Sequence, residues 1–157
     1  GEEEIRRQVM GELELVGLAG AEDKMPAQLS GGMARRAALA RALVRPPEIM
    51  LVDEPTTGLD PIIVHSIHEL IASTHERFGF SGIVVSHEIP EVFSFVQKVA
   101  VLQDGVIRFT GTPEEAFRAD DAVVREFIRG SLPAEAGGLR GQAAGWPGSA
   151  DLKGNAS

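Results

Sequence analysis

An unbroken apolar run, residues 49–52, leads directly into two adjacent carboxylates, Asp53 and Glu54. Four consecutive apolar residues fit a strand that is covered on both faces, as the strands of parallel sheets are. A second run of this kind, residues 83–85, follows a stretch with the apolar period of a helix. The order strand, helix, strand, helix and hairpin predicts the second half of an α/β layer fold.

Capping and turn residues delimit the other elements. Gly17 offers a left-handed stop to a first helix, Asp60 before Pro61 is a good helix start, and Asp104-Gly105 is the strongest hairpin signal. The predicted elements are helix 5–16, loop 18–28, helix 30–44, strand 49–52, helix 61–79, strand 83–85, helix 88–96, hairpin strands 99–103 and 106–109, a capping box at 112–115 and helix 123–128. Residues 133–157, dominated by Gly, Ala and Ser, are predicted to form a disordered tail.

Composition and charge narrow the function classes. Among 157 residues, 15 Lys and Arg against 23 Asp and Glu give a net charge of −8, which argues against a nucleic-acid binder with a broad basic surface. Because the chain has no cysteine, thiolate zinc sites and thiol nucleophiles are excluded. No apolar run approaches the roughly 18 residues of a membrane span, and the acidic start is unlike a signal peptide. We therefore expect a soluble chain without a span of its own.

The first candidate site is the turn Ser30-Gly31-Gly32, directly before a predicted helix. Two glycines at this place expose backbone N–H groups at the positive end of the helix dipole, where a phosphate can approach. The alternative is an ordinary Ser N-cap with a flexible turn. Taken alone, the residues leave both interpretations open.

The second candidate site is the carboxylate pair at the end of the first predicted strand. Open α/β sheets bind their ligands at the carboxyl ends of strands. Adjacent strand residues point to opposite sides, so we expect divided roles. Asp53 is suited to hold Mg²⁺ and Glu54 to polarise an attacking water. The alternative is a surface loop that carries two charges.

His87 ends the second predicted strand, where a neutral imidazole can hydrogen-bond a phosphate oxygen or fix a water. Taken alone, His87 fits a structural histidine better than a functional one. His65, His68 and His75 lie on or beside the 61–79 helix without the carboxylate spacing of a metal site, and we expect them to be solvated.

The order and spacing of these stretches resemble the ATP-binding-cassette (ABC) ATPases over about residues 5–130. The matching motifs are the signature at Leu29-Ser30-Gly31-Gly32-Met33, Walker B at 49–53, the catalytic glutamate at Glu54, the D-loop at Thr57-Gly58-Leu59-Asp60 and the switch histidine at His87. The resemblance implies ATP and Mg²⁺ as cofactors. It implies catalytic roles for Glu54 and His87, a metal-binding role for Asp53, and nucleotide contacts for Ser30, Gly31, Gly32, Met33 and Asp60.

Two features depart from this family. Met33 stands where the signature often has Gln, and nothing resembling the phosphate loop G-x-x-x-x-G-K-[ST] occurs. The resemblance therefore implies the C-terminal part of a P-loop NTPase domain. Residues 1–47 would belong to its helical subdomain and residues 48–132 to its RecA-like core.

In this family the ATPase works as a dimer, here a homodimer, with a transmembrane permease subunit. The resemblance therefore implies a peripheral protein on the cytoplasmic face of the inner membrane. The stretches 28–42 and 86–93 are similar to the ATPases of Mla/Mce-type phospholipid transporters, which adds a small regulatory subunit and a lipid-binding substrate protein as expected partners.

Three alternatives stay open. They are another cassette importer, a cassette ATPase of DNA repair or chromosome maintenance, and a truncated cassette that acts as a regulatory binding module. The acidic balance disfavours the DNA-repair alternative, and no nucleic-acid partner is expected.

Overall fold

The computed structural model describes residues 1–89 and 91–131. The chain divides into two compact units, Gly1–Ser86 and a second unit that begins at His87. The tail predicted over residues 133–157 lies outside the described residues.

The first unit contains three helices and two strands. They are α1 (Glu2–Leu15), α2 (Gly31–Leu43), β1 (Ile49–Asp53), α3 (Pro61–Phe78) and β2 (Ser81–Val85), with a 3-10 turn at Pro26–Gln28 in the predicted loop. The second unit contains a 3-10 turn at Glu91–Ser94, then β3 (Val99–Gln103), β4 (Val106–Gly111), α4 (Pro113–Phe117) and α5 (Ala122–Ser131). The α/β prediction is confirmed. The predicted helix over residues 88–96 is wrong, because the described residues there form only the 3-10 turn at Glu91–Ser94.

The helix ends form at the residues that the sequence marks. α1 ends at Leu15, two residues before Gly17, which has φ 72°, and the Leu18 N–H donates back to the Leu13 carbonyl at 2.7 Å. Asp60 caps α3, because its Oδ1 accepts from the N–H groups of Ile62 and Ile63 at 3.1 Å each. These capping interactions satisfy backbone groups that have no partner within the helix.

The strands form two separate pairs. β1 and β2 are parallel, in a register that runs from Ile49 opposite Ser81 to Asp53 opposite Val85. β3 and β4 form an antiparallel hairpin whose turn residues, Asp104 and Gly105, have φ 50° and 75°. Positive φ at both central residues is the geometry that gives a two-residue hairpin its twist.

The prediction that β1 and β2 are covered on both faces is wrong for the described residues. Met50 is 5% exposed and packs with Leu43 and Phe80. The side chains on the opposite face are more than half exposed: Ile49 65%, Leu51 73%, Ile83 58% and Val85 54%. The reason is that, in the described part of the chain, this sheet has two strands and a core cluster on one side.

His68 corrects the expectation that the helix histidines are solvated. It is 3% exposed on α3, whose buried face also carries Ile67 and Ile71. His65 lies 75% exposed beside Glu69, with Nε2 and Oε1 3.2 Å apart. Because residues three positions apart share one side of a helix, the helical period alone does not single out the buried histidine.

Candidate functional site

The Ser30 turn forms the N-terminus of α2. Ser30 is extended, with φ −68° and ψ 165°, and its Oγ accepts from the Met33 N–H at 3.3 Å. Ser30 and Gly31 are exposed, so the positive end of α2 faces solvent at this turn. The Met33 side chain instead packs against the core cluster that contains Val16 and Leu70. A nucleotide contact by Met33 therefore stays a prediction.

Both glycines of this turn lie against the segment that follows β1. A Cβ on Gly31 would be 3.1 Å from Leu59 Cδ2, and one on Gly32 would be 2.8 Å from Ile63 Cγ2. The missing side chains therefore make room for neighbouring side chains of the same unit. The structure thus brings together residues that lie 28 and 31 positions apart in the sequence.

The carboxylate pair straddles the end of β1. Asp53 is the last strand residue and is exposed, whereas Glu54 follows the strand with φ 45°. The Glu54 N–H donates to the Val85 carbonyl at 2.9 Å and so joins the ends of β1 and β2. A left-handed non-glycine residue costs on the order of 1–3 kcal/mol and such residues cluster at functional sites. The sequence does not reveal this conformation, because a glutamate side chain does not favour positive φ.

Thr57 contacts the catalytic candidate Glu54, although it is not among the site residues predicted from the sequence. Its hydroxyl donates a 2.8 Å hydrogen bond to Glu54 Oε2. The bond holds one oxygen of the Glu54 carboxylate next to the Thr57 hydroxyl. The one signal in the sequence is a hydroxyl residue three positions after the glutamate.

Two predicted site residues have other surroundings. The Asp60 carboxylate caps α3, so its nucleotide contact stays a prediction. His87 is exposed and opens the second unit, directly after Ser86. Its catalytic role likewise stays a prediction.

The carboxylates fit Mg²⁺ better than a metal that needs a protein cage. Among residues 1–89 and 91–131, no group of three His, Cys, Asp or Glu side chains is placed to enclose a metal. Mg²⁺ is held by one or two carboxylates together with waters and substrate phosphates. The exposed Asp53 at a strand end meets that requirement.

Among the residues that the structure describes, no helix has the length and apolar character to cross a bilayer.

The site combines an open helix N-terminus, which packs against Leu59 and Ile63, with two carboxylates at the end of a strand. Both are features that α/β proteins use to bind phosphate ligands. The family model described as "ABC transporter" matches residues 2–57. The chain is 44% identical over 126 residues to the intermembrane phospholipid transport system ATP-binding protein MlaF of Haemophilus influenzae. This alignment covers 80% of this chain and 48% of that protein. It is 35% identical to the Fe(3+) ions import ATP-binding protein FbpC of Rhizobium etli, covering 90% of this chain and 41% of the relative.

Solved structures agree with the sequence relatives. The cbiO1 protein of Clostridium perfringens, part of the ABC transporter complex cbiONQ, superposes with TM-score 0.69 at 34% identity, over 80% of this chain and 50% of that one. The ATP-binding cassette MJ1267, in its ADP conformation, gives TM-score 0.71 at 25% identity, over 81% and 50%. The chain belongs to the family of ABC transporter ATP-binding proteins. It spans about half the length of the curated relatives that it matches.

Proposed function

We propose that this chain is the signature-bearing part of the ATP-hydrolysing subunit of an ABC transporter that moves phospholipid between envelope membranes. The structural observation that carries the hydrolytic part of the proposal is the contact of Gly31 and Gly32 with Leu59 and Ile63. Through this contact the anion-binding turn and the segment after the carboxylates belong to one packed unit. Such a unit suits an enzyme that stabilises charge in phosphoryl transfer mainly by positioning.

Each site residue has a distinct task in this proposal. Glu54 orients and polarises the attacking water, with its carboxylate held by Thr57. Asp53 holds Mg²⁺, which when bound neutralises charge on the phosphates. Ser30, Gly31 and Gly32 bind the γ-phosphate of a nucleotide that sits on a second copy. Met33 and Asp60 border that nucleotide, and His87 hydrogen-bonds the phosphate or the water.

The proposal places each ATP between two subunits. The phosphate loop of one subunit and the signature of the other would enclose the nucleotide, so closure of the homodimer would drive a transmembrane permease at the cytoplasmic face of the inner membrane. The exposed face of β1 and β2 supports a larger domain, because parallel sheets are normally covered on both faces.

A joined cassette tests the hydrolytic function. In it, the part of the Haemophilus influenzae relative that lies outside the similarity is fused before Gly1. The joined cassette should hydrolyse ATP, whereas the 157-residue chain should bind ATP weakly and not turn it over, because it has no phosphate loop. Turnover by the purified chain that Glu54→Gln abolishes would overturn this assignment of roles.

The phospholipid substrate rests on the similarity to MlaF proteins at 43–44% identity. Ion import is the second candidate, because relatives named for Fe(3+) and sulfate import match at 35–40%. Expression of the joined cassette in Escherichia coli K12 without its own MlaF separates the two. Restored transfer of labelled phospholipid between membranes supports lipid transport, and its absence from a cassette that hydrolyses ATP favours import.

A further inference from the structure

We propose that Ile63, assisted by Leu59, is a positioning residue for the turn Ser30-Gly31-Gly32. Its side chain sets where the turn's backbone N–H groups lie, and it is the reason that position 32 is glycine. This inference rests on the proposed function for the meaning of the turn, but its geometry is independent of any nucleotide.

The first argument is the direction of the missing side chains. A glycine that serves only an approaching anion would have open space where its Cβ belongs. Here the space beside each Cβ position is filled by a side chain of the same chain. Leu59 Cδ2 lies 3.1 Å from the Cβ position of Gly31, and Ile63 Cγ2 lies 2.8 Å from that of Gly32. A distance of 2.8 Å is shorter than real Cβ contacts, so a side chain at position 32 must displace α2 or Ile63.

The second argument is that Ile63 is itself held in place. Its N–H donates to Asp60 Oδ1 at 3.1 Å, and the same carboxylate oxygen binds the N–H of Ile62. β-branched side chains in helices have one strongly preferred rotamer. Cγ2 of Ile63 is therefore a rigid contact, whereas the tip of Leu59 can move. We infer that Gly32 is the more stringent of the two positions.

The stability of the 157-residue chain gives the first test. A Gly→Ala substitution should stabilise the fold if the glycine only leaves space for an anion, and should destabilise it if the glycine leaves space for Ile63. In open space, Gly→Ala within a helix raises the folding equilibrium constant about two- to fivefold. Gly11→Ala on α1 is the matched control, because nothing lies within 4 Å of its Cβ position, and it should show that gain. Gly32→Ala should instead lower the constant, and Gly31→Ala should lower it less.

A double variant isolates the contact. In an Ile63→Ala background, which removes Cγ2, Gly32→Ala should recover the gain seen at Gly11. If Gly32→Ala stabilises the unmodified chain as Gly11→Ala does, the proposal is overturned. If Gly32→Ala does not fold, Ile63→Ala is compared with the double variant that carries both substitutions. A double variant that folds supports the contact, and a double variant that does not fold contradicts it.

Amide NMR of the same chain tests positioning apart from stability. Ile63→Ala should shift the Gly32 amide resonance, and Ile63→Val, which keeps both γ carbons, should restore it. Ile62→Ala is the control, since Ile62 is the neighbouring residue and is 81% exposed. An unmoved Gly32 resonance in Ile63→Ala would overturn the proposal. Neither measurement uses ATP, so their failure leaves the proposed function standing, whereas failure of the joined cassette to hydrolyse ATP leaves this contact standing.

Discussion

Arg36 Nη1 donates a hydrogen bond of 2.8 Å to the carbonyl oxygen of Val16 and so ties the middle of α2 to the C-terminal end of α1. The two helices exchange such contacts, because Gln8 Nε2 of α1 donates to the Val44 carbonyl, at the end of α2, at 2.7 Å. The C-terminal end of each of the two helices therefore accepts a hydrogen bond from a side chain of the other helix. A cation at a helix C-terminus also interacts favourably with the helix dipole.

Arg36→Met should lower the free energy of unfolding by about 1–2 kcal/mol, because a charged, part-buried hydrogen bond is lost while most of the apolar stem is kept. Urea denaturation of the 157-residue chain measures it. Arg35→Met is the control, since Arg35 is exposed on the same helix and should change stability little. Equal midpoints for the two variants would show that the Val16 contact contributes nothing.

Glu54→Gln in the joined cassette should keep nucleotide binding and lower hydrolysis by about 100-fold or more, because the charge that orients water is lost. The two properties are compared by ATP titration and by phosphate release. Asp104→Asn, in the exposed hairpin turn, is a matched loss of one carboxylate and should leave both unchanged. A rate equal to that of the unmodified cassette would assign the water to another group.

Thr57→Val should lower kcat of the joined cassette by about two- to tenfold with little effect on KM, the range expected for one lost hydrogen bond. The reason is that the 2.8 Å bond holds Oε2 of Glu54, which is assigned to the water and not to nucleotide binding. Thr57→Ser keeps the hydroxyl and should retain the rate. A Ser variant as slow as the Val variant would mean that the methyl group, and not the hydroxyl, matters.

The cap of α4 predicts an acid-dependent loss of stability. The backbone N–H of Glu114 itself and then the side chain of Thr112 lower the pKa of Glu114 below its ordinary value of 4.5. A depressed pKa stabilises the fold above the unfolded value, and this contribution is lost as pH falls through the folded value. Urea midpoints measured downward from about pH 6 should therefore fall less in Glu114→Gln than in the unmodified chain. Thr112→Ala should also reduce the dependence, and a variant with an unchanged acid limb would contradict the assignment.

Most of the fold that can be predicted from the sequence depends on residues that act on their immediate neighbours in the chain. Asp60, Gly17 and the Asp104-Gly105 pair each act within a few positions of themselves, and the structure has each where the sequence predicts it. The fit of Ile63 against Gly32 is different, because it joins residues 31 positions apart and depends on how α2 meets α3. The left-handed Glu54 is equally invisible, since nothing in its side chain favours that conformation.

The outward face of β1 and β2 affects how the chain behaves in solution. Four aliphatic side chains share this face, and two of them, Leu51 and Ile83, lie directly opposite each other on the two strands. Exposed apolar faces of this kind are where partly folded chains pair with one another, and the net charge of −8 opposes this only at long range and low salt. The purified 157-residue chain should therefore bind the dye ANS and precipitate more readily as salt is raised.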